Sequence, residues 1–159
     1  IYYFDGSLMT PTQTLEVSKT VYSTRWHPSK RFVAIATASG SGAELFIYEL
    51  KVSNGSFTLK DSRGYGSQSV FEVAWHPSGN YLVAGATAGT NELIMYSVNQ
   101  TTGVLTDLST TDLSVNRDVS TGALSWSPGG SHLAVGTAQN LTAGGDELVI
   151  YKFNGTSLS

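Results

Sequence analysis

Residues 70–108, VFEVAWHPSGNYLVAGATAGTNELIMYSVNQTTGVLTDL, can be laid over the chain on either side of them with few gaps. Their first half recurs as VYSTRWHPSKRFVAIATA and TGALSWSPGGSHLAVGTA, and their second as ELFIYELKVSNGSFTLKDS and ELVIYKFNGTSLS. Trp26, Trp75 and Trp126 mark the period, 49 and then 51 residues apart. A unit of that size cannot bury its own apolar faces and does so by stacking on neighbours like itself. The chain is therefore restricted to an array of equivalent units.

Each unit reads as four short strands, a to d. In the first, a is VYSTRW (21–26), b is RFVAIATA (31–38), c is ELFIYEL (44–50) and d covers about 57–60. In the second they fall at 70–75, 81–87, 92–98 and 104–108; in the third a, b and c fall at 121–126, 132–138 and 147–153. The a-to-b turns contain Pro28, Pro77 and Pro128, which lack the N–H a sheet ladder needs. Strands b and c are apolar almost without interruption, the pattern of sheets covered on both faces. Ala34, Ala36, Ala84, Gly85, Ala86, Gly136 and Ala138 keep strand b thin enough for a neighbouring sheet to approach closely. No stretch keeps the apolar spacing of an amphipathic helix for more than two turns.

The expected fold is all-β, three four-stranded antiparallel repeats of about 50 residues. Residues 1–20 form a hairpin from a preceding or shared unit, since IYYFDGSLM matches IYKFNGTSL at 150–158. The units proper span 21–62, 70–108 and 121–159, the last without a complete strand d. Three such sheets in an open arc would leave apolar faces and a strand edge in water. Further units of a longer chain, or a second copy of this one, are expected to cover them. In the second case the hairpin of one copy would complete the unfinished unit of another.

Charged residues make up only 13% of the 159 and the net charge is −3, so there is no basic field for nucleic acid or an anionic membrane. No apolar run approaches the roughly 20 residues needed to cross a bilayer as a helix. Ser and Thr supply about a quarter of the chain and Cys none, which rules out disulfide and thiolate sites. Asn54, Asn99, Asn140 and Asn154 each head an N-x-Ser/Thr triplet, and three of them recur at one position in the repeat. They read either as glycosylation acceptors or as turn formers, the latter preferred. Low charge and the high share of Ser and Thr together point to an extracellular or cell-surface protein.

No G-x-S-x-G elbow, H-E-x-x-H helix, EF-hand loop or P-loop occurs, so the sequence designates no catalytic residue, no metal site and no cofactor. His27 and His76 share one repeat position, as metal ligands would, but Ser127 takes the third place and no acidic residue accompanies them. Packing of the turn is the better account, as it is for the three tryptophans and for Tyr48, Tyr96 and Tyr151. Glu44, Glu92 and Glu147 each open strand c after a Gly-rich loop; they form either a carboxylate ring for a cation or acceptors for the amides of their own loops, the latter preferred. Asp146-Glu147 is the densest acidic spot. The d-to-a and b-to-c loops share one rim, where Arg63, Tyr65, Asn116, Arg117 and Asp118 supply non-repeating side chains and are the candidate contact residues. Arg25 and Glu72 stand at polar strand a positions of adjacent units and are candidates for a pair facing a central channel, either a structural ion pair or a channel site, the former preferred.

AWHPSGNYLVAG and SWSPGGSHLAVG, followed by ELIMYSV and ELVIYKF, resemble the first three strands of WD40-type β-propeller blades. The turn phrases YKFNGTSLS, YYFDGSLMT and SVNQTTGVLTDL are similar to bacterial WD40-like and lactonase-like (YVTN) propeller repeats. The chain departs from the WD40 pattern where Tyr48-Glu49, Tyr96-Ser97 and Tyr151-Lys152 replace the Trp-Asp pair, and no Gly-His precedes strand a. The resemblance implies a partial propeller. Its expected function is a non-catalytic scaffold or binding module presenting loops to protein or glycan partners. The alternatives are a lactonase-like hydrolase and a subunit of a head-to-tail filament.

Overall fold

The structure, a computed structural model, describes residues 2–159 apart from 12, 30, 52, 88–90, 114–117 and 139–147; the side chains of 11, 120 and 121 also lie outside the description. The described residues contain no helix and thirteen strands. β1 (Tyr2–Phe4) and β2 (Met9–Pro11) pair with each other alone. β3 (Val21–Trp26), β4 (Phe32–Thr37), β5 (Leu45–Lys51) and β6 (Ser56–Arg63) form one antiparallel sheet in chain order. β7 (Val70–Trp75), β8 (Tyr81–Ala86), β9 (Leu93–Val98) and β10 (Leu105–Thr111) form the second. β11 (Val119–Trp126), β12 (His132–Thr137) and β13 (Leu148–Lys152) form a third sheet of three strands. Beyond β13 a single bridge, Phe153 to Leu158, begins the turn towards a fourth strand. Among the described residues the N-terminal hairpin pairs only with itself within this chain.

Each strand a carries a bulge near its beginning, between Val21 and Ser23, Val70 and Glu72, and Val119 and Leu124. The extra residue twists the strand and re-aims the side chains beyond it. In the second sheet the residue after the bulge is Glu72, and it turns inward to complete burial. The fourth strands run further than their residues suggest, because the ladder continues to Arg63↔Leu45 and Thr111↔Leu93 after a second bulge.

Two apolar layers hold the sheets together. One packs Phe32, Leu45 and Ile47 of the first sheet against Val73, Leu82 and Tyr96 of the second. The other packs Val83, Leu93 and Met95 of the second against Leu124, Leu133 and Val135 of the third. A thin residue of strand b acts where two sheets come close: a Cβ on Gly85 would meet Val119 of the third sheet at 2.5 Å, whereas one on Gly136 would meet Ala123 of its own sheet at 2.8 Å. The outer sheet faces are bare by comparison, with Trp26 46%, Leu148 64% and Ile150 56% exposed. A cavity of ≈ 400 Å³ separates the Trp26 face from the connecting residues 13–17.

Candidate functional site

The seams between sheets carry one repeated polar arrangement. The Trp75 indole Nε1–H donates to the Arg25 carbonyl at 2.9 Å, and that of Trp126 donates to the Ala74 carbonyl at 3.3 Å. In return the imidazole of each sheet reaches forward to the next turn. His27 Nε2 bonds the Gly79 carbonyl and His76 Nε2 the Gly130 carbonyl, both at 3.0 Å. The rings stand edge-on to Trp75 and Trp126, with centroids 4.7 and 4.9 Å apart. His27 Nδ1 accepts the Ser29 N–H at 3.0 Å, and His76 Nδ1 accepts that of Ser78 at 3.1 Å. Each ring is thus a neutral Nε2–H tautomer with both nitrogens engaged, and neither offers a lone pair to a metal. No cluster of three or more His, Cys, Asp or Glu suited to a metal ion occurs among the described residues.

Burial holds the His27 pKa below the ordinary imidazole value of 6.5, more than its bond to Gly79 raises it. The unfolded chain therefore takes up this proton first as pH falls. The His27 contribution to stability is complete above about 6.5 and declines from there towards the lower folded-state value. Urea midpoints measured from pH 7.5 to 5 are expected to fall across that window, and His27→Gln is expected to flatten the part of the slope that belongs to this ring.

Arg25 and Glu72 meet at the innermost strands. Glu72 Oε1 accepts the Ser23 hydroxyl at 2.7 Å and an Arg25 N–H at 2.8 Å, while Oε2 accepts the Gly122 backbone N–H. One carboxylate, fully buried, therefore links strand a of all three sheets, and the Arg25 side chain remains 47% exposed. Glu44 and Glu92 repeat another clasp. Glu44 Oε2 accepts the Tyr65 N–H at 2.7 Å, an amide of the d-to-a segment where one of its own loop was expected, and Glu92 Oε2 accepts the Leu113 N–H at 2.8 Å, so each ties the start of strand c to the segment after strand d. Lys19 adds an ion pair to Glu44 at 2.8 Å. Both carboxylates are buried, which leaves no exposed acidic ring from them; Asp146 and Glu147 lie outside the described residues.

The candidate contact residues on the loop rim divide. Tyr65 is not presented to solvent: its hydroxyl bonds that of Tyr96 at 2.7 Å within the first apolar layer. Burial holds Tyr96 up at about 12 and Tyr65 well above its ordinary value, so both stay neutral phenols. Arg63 lies on β6 rather than in a loop. It pairs with Asp61 at 3.0 Å, stacks over Tyr96 at 5.8 Å and donates to the Leu105 carbonyl, while Asp61 accepts the Leu105 N–H at 2.7 Å. This clamp on the next sheet's outer strand was hidden in the sequence because Leu105 lies 42 residues away from Arg63. Asp118 stands half-buried just before β11, and Asn116 and Arg117 lie outside the described residues. Asn54, Asn99 and Asn154 are exposed on the opposite rim, and Asn140 lies outside the described residues.

Residues 57–91 match the family model described as WD domain, G-beta repeat. The chain superposes on a protein from Lactobacillus plantarum with TM-score 0.74 and 16% identity, covering 99% of this chain and 46% of that one. Against the periplasmic gluconolactonase PpgL of Pseudomonas aeruginosa the TM-score is 0.66 at 13% identity, covering 94% and 40%. Against the C-terminal WD40 domain of Sif2 it is 0.59 at 16%, covering 88% and 36%. The chain is a partial β-propeller. Its three sheets are blades, and it spans less than half the length of these structures. No curated protein sequence matches it. Within the propeller, the Trp–imidazole latch and the Glu72 knot are inter-blade fasteners.

Proposed function

We propose that this propeller segment is part of an exported, non-catalytic binding module whose d-to-a and b-to-c rim meets a protein or glycan partner. The observation that carries this is the commitment of Glu72. A general base needs a carboxylate that a substrate can reach and that has a lone pair to spare. Glu72 is buried, and both its oxygens are already engaged by Ser23, Arg25 and Gly122. The likeness to a gluconolactonase supplies the rival reading, but it rests on fold alone, and one propeller fold serves many functions. The bare faces at Trp26 and at Leu148 and Ile150 support coverage by further blades or by a second copy.

The test is lactone hydrolysis by the purified chain, with its mass read in parallel by light scattering. No turnover above buffer is expected. A rate abolished by Glu72→Gln while the circular dichroism spectrum is retained would establish the hydrolase instead. A stable species at the mass of one chain would remove self-association.

A further inference from the structure

The c-to-d turns repeat an acceptor geometry for sugar. We infer that Asn54, Asn99 and Asn154 are N-glycosylation sites and that their glycans occupy the rim opposite the partner-binding rim. This rests on the exported reading, because the oligosaccharide donor is met in the lumen of the secretory pathway. Each asparagine heads an N-x-Ser/Thr triplet and is exposed.

In each turn two or more local donors converge on the asparagine Oδ1. Asn54 Oδ1 accepts the Ser56 hydroxyl at 2.8 Å and its N–H at 3.1 Å. Asn154 Oδ1 accepts the Thr156 hydroxyl and N–H, both at 2.9 Å, and the Ser157 N–H at 2.9 Å. Asn99 Oδ1 accepts the N–H groups of Thr101 at 2.9 Å and Thr102 at 3.0 Å. Donors on Oδ1 draw electrons from the carboxamide and ease loss of a proton from Nδ2. They also pin the oxygen inward, which turns the nitrogen towards solvent. Among the described residues nothing accepts from Nδ2 of Asn54 or Asn99, and Asn154 Nδ2 gives one N–H to the Ser157 hydroxyl at 3.0 Å and keeps the other. All of these contacts span two or three residues, so they form in a nascent chain before the blades assemble.

In the transfer, Nδ2 attacks the anomeric carbon of a polyprenyl-diphosphate oligosaccharide. The N–C bond forms, the carbon–oxygen bond to diphosphate breaks, polyprenyl diphosphate leaves, and one amide proton passes to a base of the transferring enzyme. No oxidation or reduction is involved.

The rim is fixed by the blade meander. Leu50, Val98 and Phe153, at the ends of strand c, donate N–H bonds of 2.9 Å to the carbonyls of Arg31, Asn80 and Ser131 in the a-to-b turns. Gln100, the middle residue of its triplet, also donates to the Gly79 carbonyl. The asparagine turns therefore sit beside the a-to-b turns, and the d-to-a and b-to-c loops lie at the other ends of the strands. Glycans on all three would screen one rim and leave the other open.

The chain is expressed behind a cleavable secretory leader in a eukaryotic host, and peptide mass spectrometry reads each asparagine in the total lumenal and secreted pool after amidase treatment in heavy-oxygen water. Most copies are expected to be occupied at Asn54, Asn99 and Asn154. Ser56→Ala, Thr101→Ala and Thr156→Ala are each expected to empty their own site alone, and Thr156→Ser to restore Asn154. Bare asparagines at these three positions in chains that entered the lumen, or sugar at Asn140 only, would overturn the assignment. Natural export is read separately, by locating the protein in its own host: retention inside the cell there would end the exported reading while leaving the site geometry tested.

Discussion

Gly79→Ala is expected to lower the unfolding free energy by about 3 kcal/mol, among the larger losses a single methyl group can cause in this chain. Gly79 sits at φ +76°, where an L side chain costs about 1–2 kcal/mol. A Cβ there would also overlap His27 Nε2, so the imidazole must withdraw from the Gly79 carbonyl and from the edge of Trp75. Losing that buried hydrogen bond and its ring contact adds roughly 1–2 kcal/mol. Gly130 faces His76 in the same way and should behave alike. Gly55 separates the two causes: its φ is +68°, but its Cβ would meet nothing within 4 Å, so Gly55→Ala should cost only about 1–2 kcal/mol. Urea unfolding of these variants, with a His27→Ala/Gly79→Ala double variant, reads the coupling directly. Equal losses at Gly55 and Gly79 would show that the latch contributes nothing.

Glu72→Ala should be comparably severe, on the order of 3 kcal/mol or roughly 10 °C in Tm. A buried donor left without an acceptor costs about 1–3 kcal/mol, and the substitution strands the Ser23 hydroxyl; it also takes the acceptor from the Gly122 N–H, which adds less because that residue is exposed. Arg25 adds less than a fully buried partner would, because its side chain is 47% exposed and regains water. Glu72→Gln keeps the shape and one acceptor oxygen but turns an NH2 group towards existing donors, so roughly half the loss is expected. Thermal unfolding followed by circular dichroism measures both. A Glu72→Ala chain that melts with the original would mean that the carboxylate does not join the blades.

Much of the strand pattern was legible because each strand is a local run of apolar residues ended by Pro, Gly or Asn. Strand a matched residue for residue in the first two blades, 21–26 and 70–75. The latch also left a trace: His27 and His76 each precede, by one blade, a glycine four residues after the tryptophan, at Gly79 and Gly130. Lys30 stands at that position in the first blade, and Ser127 replaces the histidine in the third. The pairing of those two departures is readable only once the blades are known to sit side by side. Tyr65 and Arg63 show the limit most clearly. Both belong to a stretch that reads as an open loop, yet one is buried against Tyr96 and the other clamps Leu105.

The amino-acid sequence alone determined the repeat, the antiparallel strands and the apolar faces that require stacking, since all of these arise from composition and order within about 50 residues. Tertiary structure alone decided which polar groups are spent on joining blades. Glu72 with Ser23 and Gly122, His27 with Gly79 and Asp61 with Leu105 join residues 44 to 52 positions apart, and no local pattern specifies those partners; the Arg25–Glu72 pair, by contrast, was readable from polar strand a positions in adjacent repeats. The repeat places the candidate residues at the strand ends, but only the stacked sheets decide that Tyr65 and Arg63 face a neighbouring blade while Asn54, Asn99 and Asn154 face solvent.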